Sequence, residues 1–161
     1  TVLSVVPDAM KGGAAKSSGA SFSSIIGAPL PAGAREPVIA AWVLREYGIE
    51  PSQALFHAQD DARHLATPDG LVLRDAGHLE LAEIKTTNKE WRSIPRSYLR
   101  QVWWQQHVLG AERTLMVWER HENFTPVGDP QFRWVDRDEN EIAKLVALAG
   151  QLIDTLIARS R

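Results

Sequence analysis

The stretch that most constrains this chain runs from Thr67 to Lys85. It holds two apolar runs, Leu71-Val72-Leu73 and Leu79 to Ile84, separated by Asp75-Ala76-Gly77. Apolar runs on either side of a tight-turn triplet predict a β-hairpin. Alternate side chains on a strand share a face, so Leu79, Leu81, Glu83 and Lys85 fall on one side and Glu80, Ala82 and Ile84 on the other. Folding the hairpin about Ala76 pairs residues whose numbers add to 152, which sets Leu73 opposite Leu79, Leu71 opposite Leu81 and Asp69 opposite Glu83. Opposed residues of an antiparallel pair hold their Cβ atoms ~4.5–5.5 Å apart. Two carboxylates that close repel, unless a cation lies between them or one takes a proton. With no Cys in the chain, hard oxygen ligands point to Mg²⁺ or Mn²⁺ rather than zinc. Lys85 then flanks the cation on the same face. An isolated Glu-x-Lys also reads as a solvated surface pair; the Pro68-Asp69-Gly70 turn at a strand-compatible distance favours the site.

The rest of the sequence frames this hairpin. A length of 161 residues with 44% hydrophobic and 24% charged residues suits a single globular domain over 1–161. No apolar run is long enough to span a membrane. The lack of Cys excludes disulfides, thiol nucleophiles and iron–sulfur clusters, and a reducing cytoplasmic compartment is the simplest expectation. A net charge of −2 argues against holding nucleic acid by global charge. Residues 51–85 nevertheless sum to −3 and residues 86–120 to +3. Such a pattern fits a site that holds both a metal ion and a polyanion, as well as ordinary fluctuation.

Residues 1–20 are small and glycine-rich and read as a mobile lead-in, with a short helix over 21–26. Glu36-Pro37 opens a predicted helix to Tyr47, stopped by Gly48. A helix is expected from Arg96 to Leu109, stopped by Gly110, then strands over 114–119 and 131–135. An amphipathic helix over 138–160 closes the chain, with Asp138 and Glu141 in a capping-box arrangement. It is expected as a core helix, wide enough to double as a subunit interface. Helix, β meander, helix, strands and helix make an α/β domain with a mixed sheet.

Pro68-Asp69, thirteen residues, then Glu83-Ile84-Lys85 resembles the PD-(D/E)xK nuclease signature. The flanks narrow it to the YqaJ / lambda-exonuclease-like branch of phage recombination exonucleases. Ser21 to Gly27 resembles that branch's serine-bearing opening motif, Gly33 to Pro37 its early helical glutamate, and Tyr98-Leu99-Arg100-Gln101 its tyrosine–glutamine helix. The blocks stand in the family's order and cover roughly residues 19–120. The resemblance implies a restriction-endonuclease-like core, a central mixed β-sheet flanked by α-helices. It implies that Asp69, Glu83 and the Ile84 carbonyl bind one or two Mg²⁺ ions, with Mn²⁺ as substitute, and that Glu36 reaches the second ion or its waters. Lys85 would orient or deprotonate the attacking water, Gln101 would hold a water or a helix-to-site hydrogen bond, and Ser21 would lie near a DNA-end phosphate. The implied activity is 5′-to-3′ hydrolysis of duplex DNA from an end, leaving 5′-phosphates. The implied partners are DNA, further copies of the chain in a ring and a single-strand annealing protein. No arginine lies between residues 17 and 34, where a dedicated 5′-phosphate pocket would look for one. A structure-specific or restriction-type endonuclease on the same fold, and a catalytically idle DNA-binding or assembly module, stay open as alternatives.

Lys89, Arg92, Arg96 and Arg100 recur at spacings of three and four and form a candidate clamp for the DNA backbone, or a solvated helix face. Pro95 inside the run predicts a loop followed by a first helical turn. Trp103 and Trp104 read as core residues before stacking platforms. The five His residues are scattered without His-x-x-x-His spacing, and no P-loop or G-x-S-x-G motif is present.

Overall fold

A computed structural model describes residues 32–160 of the chain. The predicted lead-in over 1–20, the helix over 21–26 and Ser21 lie outside the described residues. Helix α1 (Ala32–Tyr47) ends where Gly48 enters the left-handed region at φ 62° and its N–H bonds the Leu44 carbonyl at 2.8 Å. The helix opens earlier than Glu36-Pro37 suggested, so Pro37 lies inside it. The missing proline N–H there leaves one first-turn carbonyl without its helical donor.

Three two-residue strands follow or lie between loops: β1 (Glu50–Pro51), β2 (Phe56–His57) and β3 (Leu65–Ala66). They are too short to carry a period, which is why the sequence did not reveal them. Then β4 (Gly70–Leu73) and β5 (Leu79–Thr87) form the predicted hairpin in the predicted register, with Leu73 opposite Leu79 and Leu71 opposite Leu81. Ala76 takes φ 64° in the turn.

Parallel strands need a crossover, and α2 (Arg96–Leu109) supplies it. The following strand β6 (Arg113–Glu122) runs parallel to β5, from Glu80 opposite Arg113 to Thr87 opposite Arg120. Antiparallel β7 (Thr125–Pro126) and β8 (Gln131–Asp136) complete a mixed six-stranded sheet, in the order β1-β4-β5-β6-β7 with β8 also on β6. β2 and β3 form a separate ribbon.

Both faces of β5 are covered, and the predicted alternation decides by what. Leu79 and Leu81 pack with Val108 and Leu109 of α2 and with Phe56. Ala82 and Ile84 pack with Ile39 and Val43 of α1 and with Leu115 and Val117 of β6. Each leucine, isoleucine and valine among them contributes ~1.5–3 kcal/mol of burial. Glu80 shares the α1 face, buried at the strand's start, where Arg74 (2.8 Å) and Arg113 hold its carboxylate. Trp103 and Trp104 pack against the second helix's side of the core as expected, their indole N–H groups bonded to the carbonyls of Asp136 and Leu65.

Helix α3 (Glu139–Arg159) departs from expectation. Its start is capped as predicted, with the Asp138 carboxylate accepting from the Asn140 and Glu141 amides at 3.0 Å. Yet Ile142 is its one buried residue among those described, and Leu148, Leu152, Leu156 and Ile157 are exposed. The apolar stripe is present, but the helix packs beside α2, which half-covers Leu145, Val146, Ala149 and Ile153 and leaves the rest open. Among the described residues no helix is long and apolar enough to cross a membrane.

Candidate active site

Asp69 stands immediately before β4, one step beyond the Gly70–Ala82 pair, so the register carries it to the side of Glu83. Its backbone carbonyl accepts from the Ser52 N–H at 2.9 Å, and its Oδ2 accepts from the Ile84 N–H at 2.7 Å. The turn needs the glycine that follows. A Cβ on Gly70 would come within 3.0 Å of the Glu50 carbonyl oxygen and 3.1 Å of Ile49, forcing β1 away from β4. Pro68-Asp69-Gly70 is thus a device that brings one carboxylate across the end of the hairpin.

Glu83 is 1% exposed. Its Oε1 accepts from Gln101 Nε2 at 2.6 Å and from the Lys85 ammonium, and its Oε2 accepts from Gln105 Nε2 at 2.7 Å. Tyr98, Gln101 and Gln105 stand at i, i+3 and i+7 of α2 and so share the face that looks onto Glu83 and Lys85. The Lys85 nitrogen lies 5.5 Å from the centroid of the Tyr98 ring. Gln105 is not among the residues the motifs single out; its i, i+4 spacing from Gln101 is the signal that places it here.

The electrostatics follow from burial. Burial pushes the Asp69 carboxyl above its ordinary range, partly offset by the Ile84 amide and the Lys85 charge. Burial likewise raises Glu83, and the neighbouring Asp69 charge raises it further, against the opposing pull of Lys85 and Gln105. Lys85 is pulled down by burial, but the charges of Glu83 and Asp69 and the hydrogen bond to Glu83 outweigh this and hold it above its ordinary value. The ammonium is therefore a fixed positive charge at neutral pH.

Glu36 lies on the exposed side of α1 and lines a cavity of about 380 Å³ together with Asp69, Ile84, Ser52 and Gln53. Its neighbour Arg35 is buried and makes a two-pronged bond to Glu119 of β6, at 2.9 and 2.6 Å. The His121 ring contacts the same carboxylate at 2.7 Å. This buried group pins the start of α1, and with it Glu36, to the end of the sheet that carries Lys85. Nothing in local spacing announced Arg35, Glu119 or His121. Among the described residues no three His, Asp or Glu side chains converge as a ready-made metal cage.

The basic run is divided rather than gathered. Arg92 lies on the loop before α2. Lys89 lines a larger cavity with Trp91 and Tyr98. Arg96 and Arg100 line a groove against α3, where Arg96 bonds Glu141 at 3.2 Å.

No family model matches the chain, and no curated protein matches it. Among solved structures it is similar to LHK-Exo in complex with dAMP, with a TM-score of 0.62 and 22% identity over 80% of this chain and 67% of that one. It is also similar to the alkaline exonuclease LHK-Exo from Laribacter hongkongensis, with a TM-score of 0.53 and 21% identity over 80% and 72%. SSO0001 matches with a TM-score of 0.54 and 13% identity, and the chain spans 58% of its length. The mixed sheet with its flanking helices agrees with the core expected from the motifs. The chain has the α/β fold on which the alkaline exonuclease LHK-Exo is built.

Proposed function

We propose that this protein is a metal-dependent deoxyribonuclease of the PD-(D/E)xK type, in the YqaJ-like branch, that hydrolyses DNA from an end. The observation that carries this reading is the meeting of Asp69, Glu83 and Lys85 at the mouth of one hairpin, with Gln101 and Gln105 bonded to the central carboxylate. The likeness to exonuclease structures supports the fold this requires.

The donor set fits a hard divalent cation. Asp69 and Glu83 offer carboxylate oxygens that burial and mutual repulsion leave short of positive charge. Glu83 Oε1 already accepts two bonds, while Oε2 accepts one and keeps a lone pair for a cation. The Ile84 carbonyl and Glu36 would complete the protein's share, and Mg²⁺ ordinarily keeps several waters besides. When bound, Mg²⁺ or Mn²⁺ supplies Lewis-acid stabilisation of phosphate charge and a more acidic water.

The remaining work belongs to the chain's own groups. Lys85, held charged by two carboxylates, neutralises a phosphate oxygen and orients the attacking water rather than taking its proton. Gln101 and Gln105 donate to the Glu83 carboxylate, which favours its ionised form and fixes it in one rotamer. Arg35 and Glu119 hold Glu36 at the cavity's edge. The 5′-to-3′ direction and 5′-phosphate products follow from the resemblance of Ser21 to Gly27 and Tyr98 to Gln101 to that branch.

The test is incubation of linear, nicked circular and covalently closed circular DNA with Mg²⁺ or Mn²⁺. Loss of linear DNA alone is expected. Cutting of closed circles would make the protein an endonuclease on this fold, and survival of all three forms would make it an idle DNA-binding module.

A further inference from the structure

Beside the candidate site lies a second cavity, of about 700 Å³. Its wall starts at Thr86, the residue after Lys85 on β5, and continues through Lys89, Trp91 and Tyr98 to Asn123 and Phe124 at the turn between β6 and β7. The Trp91 ring stacks on Trp118 at 5.4 Å and leans on Tyr98 at 5.2 Å. Tyr98 is also the ring beside which the Lys85 ammonium sits, so cavity and site share a wall.

Phe124 is the unusual member. It is 71% exposed, and both Asn123 and Phe124 sit in the left-handed region, at φ 50° and 65°. A two-residue hairpin turn of that kind is met without strain by Asn-Gly. A phenylalanine there is strained in its backbone and leaves a large apolar ring in water. Neither turn formation nor packing accounts for it, and residues held against their preferences cluster at functional sites.

We propose that this cavity receives an unpaired nucleotide of the DNA strand whose phosphate lies at Lys85. Its base stacks on Phe124 and on the Tyr98–Trp91 pair, and Lys89 contacts the adjoining phosphate. The volume is that of a small-ligand pocket. Aromatic faces bind any base, while a lysine tracks the backbone, which is the chemistry of single-strand recognition. The inference rests on the nuclease reading of the neighbouring site and makes a frayed or single-stranded end its substrate.

The test measures binding of a short single-stranded oligodeoxynucleotide in EDTA by tryptophan fluorescence, so that hydrolysis plays no part. Phe124→Gly removes the ring and suits the left-handed turn, so a loss cannot be laid to unfolding; about tenfold weaker binding is expected. Phe124→Trp should bind at least as well as the parent, and an oligonucleotide with an abasic terminal residue should bind the parent about as weakly as Phe124→Gly binds the intact strand. Equal binding by Phe124→Gly and parent, or no binding by the parent, overturns the proposal. Equal affinity for a free mononucleotide and the oligonucleotide also overturns it, since the cavity would then serve a metabolite. The two readings fail separately. Binding that depends on Phe124 without hydrolysis in Mg²⁺ leaves the cavity and removes the nuclease; hydrolysis with binding indifferent to Phe124 does the reverse.

Discussion

The Asp69 carboxylate accepts a hydrogen bond from the Ile84 amide at 2.7 Å, which ties the residue before β4 to the strand that carries Glu83 and Lys85. The bond fixes Asp69 with one oxygen engaged, so charge and position can be separated by substitution. Asp69→Asn keeps an oxygen able to accept from Ile84 and loses the charge. DNA hydrolysis should fall by at least ~100-fold. The melting temperature should stay within ~4 °C of the parent, the shift that ~1 kcal/mol makes in a chain of this size. Retained hydrolysis would take Asp69 out of the mechanism.

Lys85→Ala removes the one ammonium bonded to Glu83 among the described residues. Hydrolysis should fall by at least ~100-fold, the lower range for a positioned charge-stabilising group. Binding of DNA in EDTA should be largely kept, because one charge among several phosphate contacts is a small share of affinity. A variant that loses binding and hydrolysis in equal measure would make Lys85 a docking residue instead.

Gln105 tests the tuning of Glu83. Its amide N–H favours the ionised carboxylate, while its own Oε1 is buried without a partner among the described residues. Gln105→Leu removes an unsatisfied acceptor but also takes the donor from a buried carboxylate oxygen, so a loss of about 1–3 kcal/mol in stability is expected. The Glu83 carboxyl, already raised by burial and by Asp69, should rise further. The acid limb of the activity profile should move to higher pH, with the rate on its plateau less affected. An unmoved limb would show that Glu83 ionisation does not set it.

Much of this was legible before any coordinates. A turn centred on Ala76 with leucines paired across it fixed the register, and strand alternation then placed Glu83 and Lys85 beside the leucines that face α2. Gln101 was visible through the tyrosine–glutamine motif, while Gln105 was not singled out. What escaped depends on contacts that no local pattern encodes. Arg35 and Glu119 lie 84 residues apart in the chain. The apolar stripe of α3 predicts burial, but a stripe states only that a face wants cover, and α2 covers it only in part. Phe124 breaks the rule for its turn, and rule-breaking is invisible until the backbone angles are known.

Glu80 gives an acid-stability prediction independent of the site. Burial pushes its carboxyl up, but bonds and charge from Arg74 and Arg113 outweigh this and hold it below its ordinary value of 4.5. The unfolded chain then takes up the proton at higher pH than the native state does. The stabilisation is complete above about pH 4.5 and is lost as pH falls through the lower native value. Glu80→Gln should melt below the parent at pH 7, and the gap should close as pH approaches 3. A gap independent of pH would mean that packing, not charge, accounts for the difference.

The Arg35–Glu119 bond has an evolutionary consequence. Both side chains are almost wholly shielded from water, at 3% and 0% exposure. Changing either alone strands a charge, at ~3–5 kcal/mol, a large share of the ~5–15 kcal/mol by which a domain is stable. Drift can therefore alter the two only together, or first neutralise both. The helix bearing Glu36 is thus welded to the sheet by a pair that single mutations cannot revise. A descendant could discard the proposed nuclease chemistry by one change at Asp69 or Lys85, yet still carry the scaffold that holds Glu36 intact.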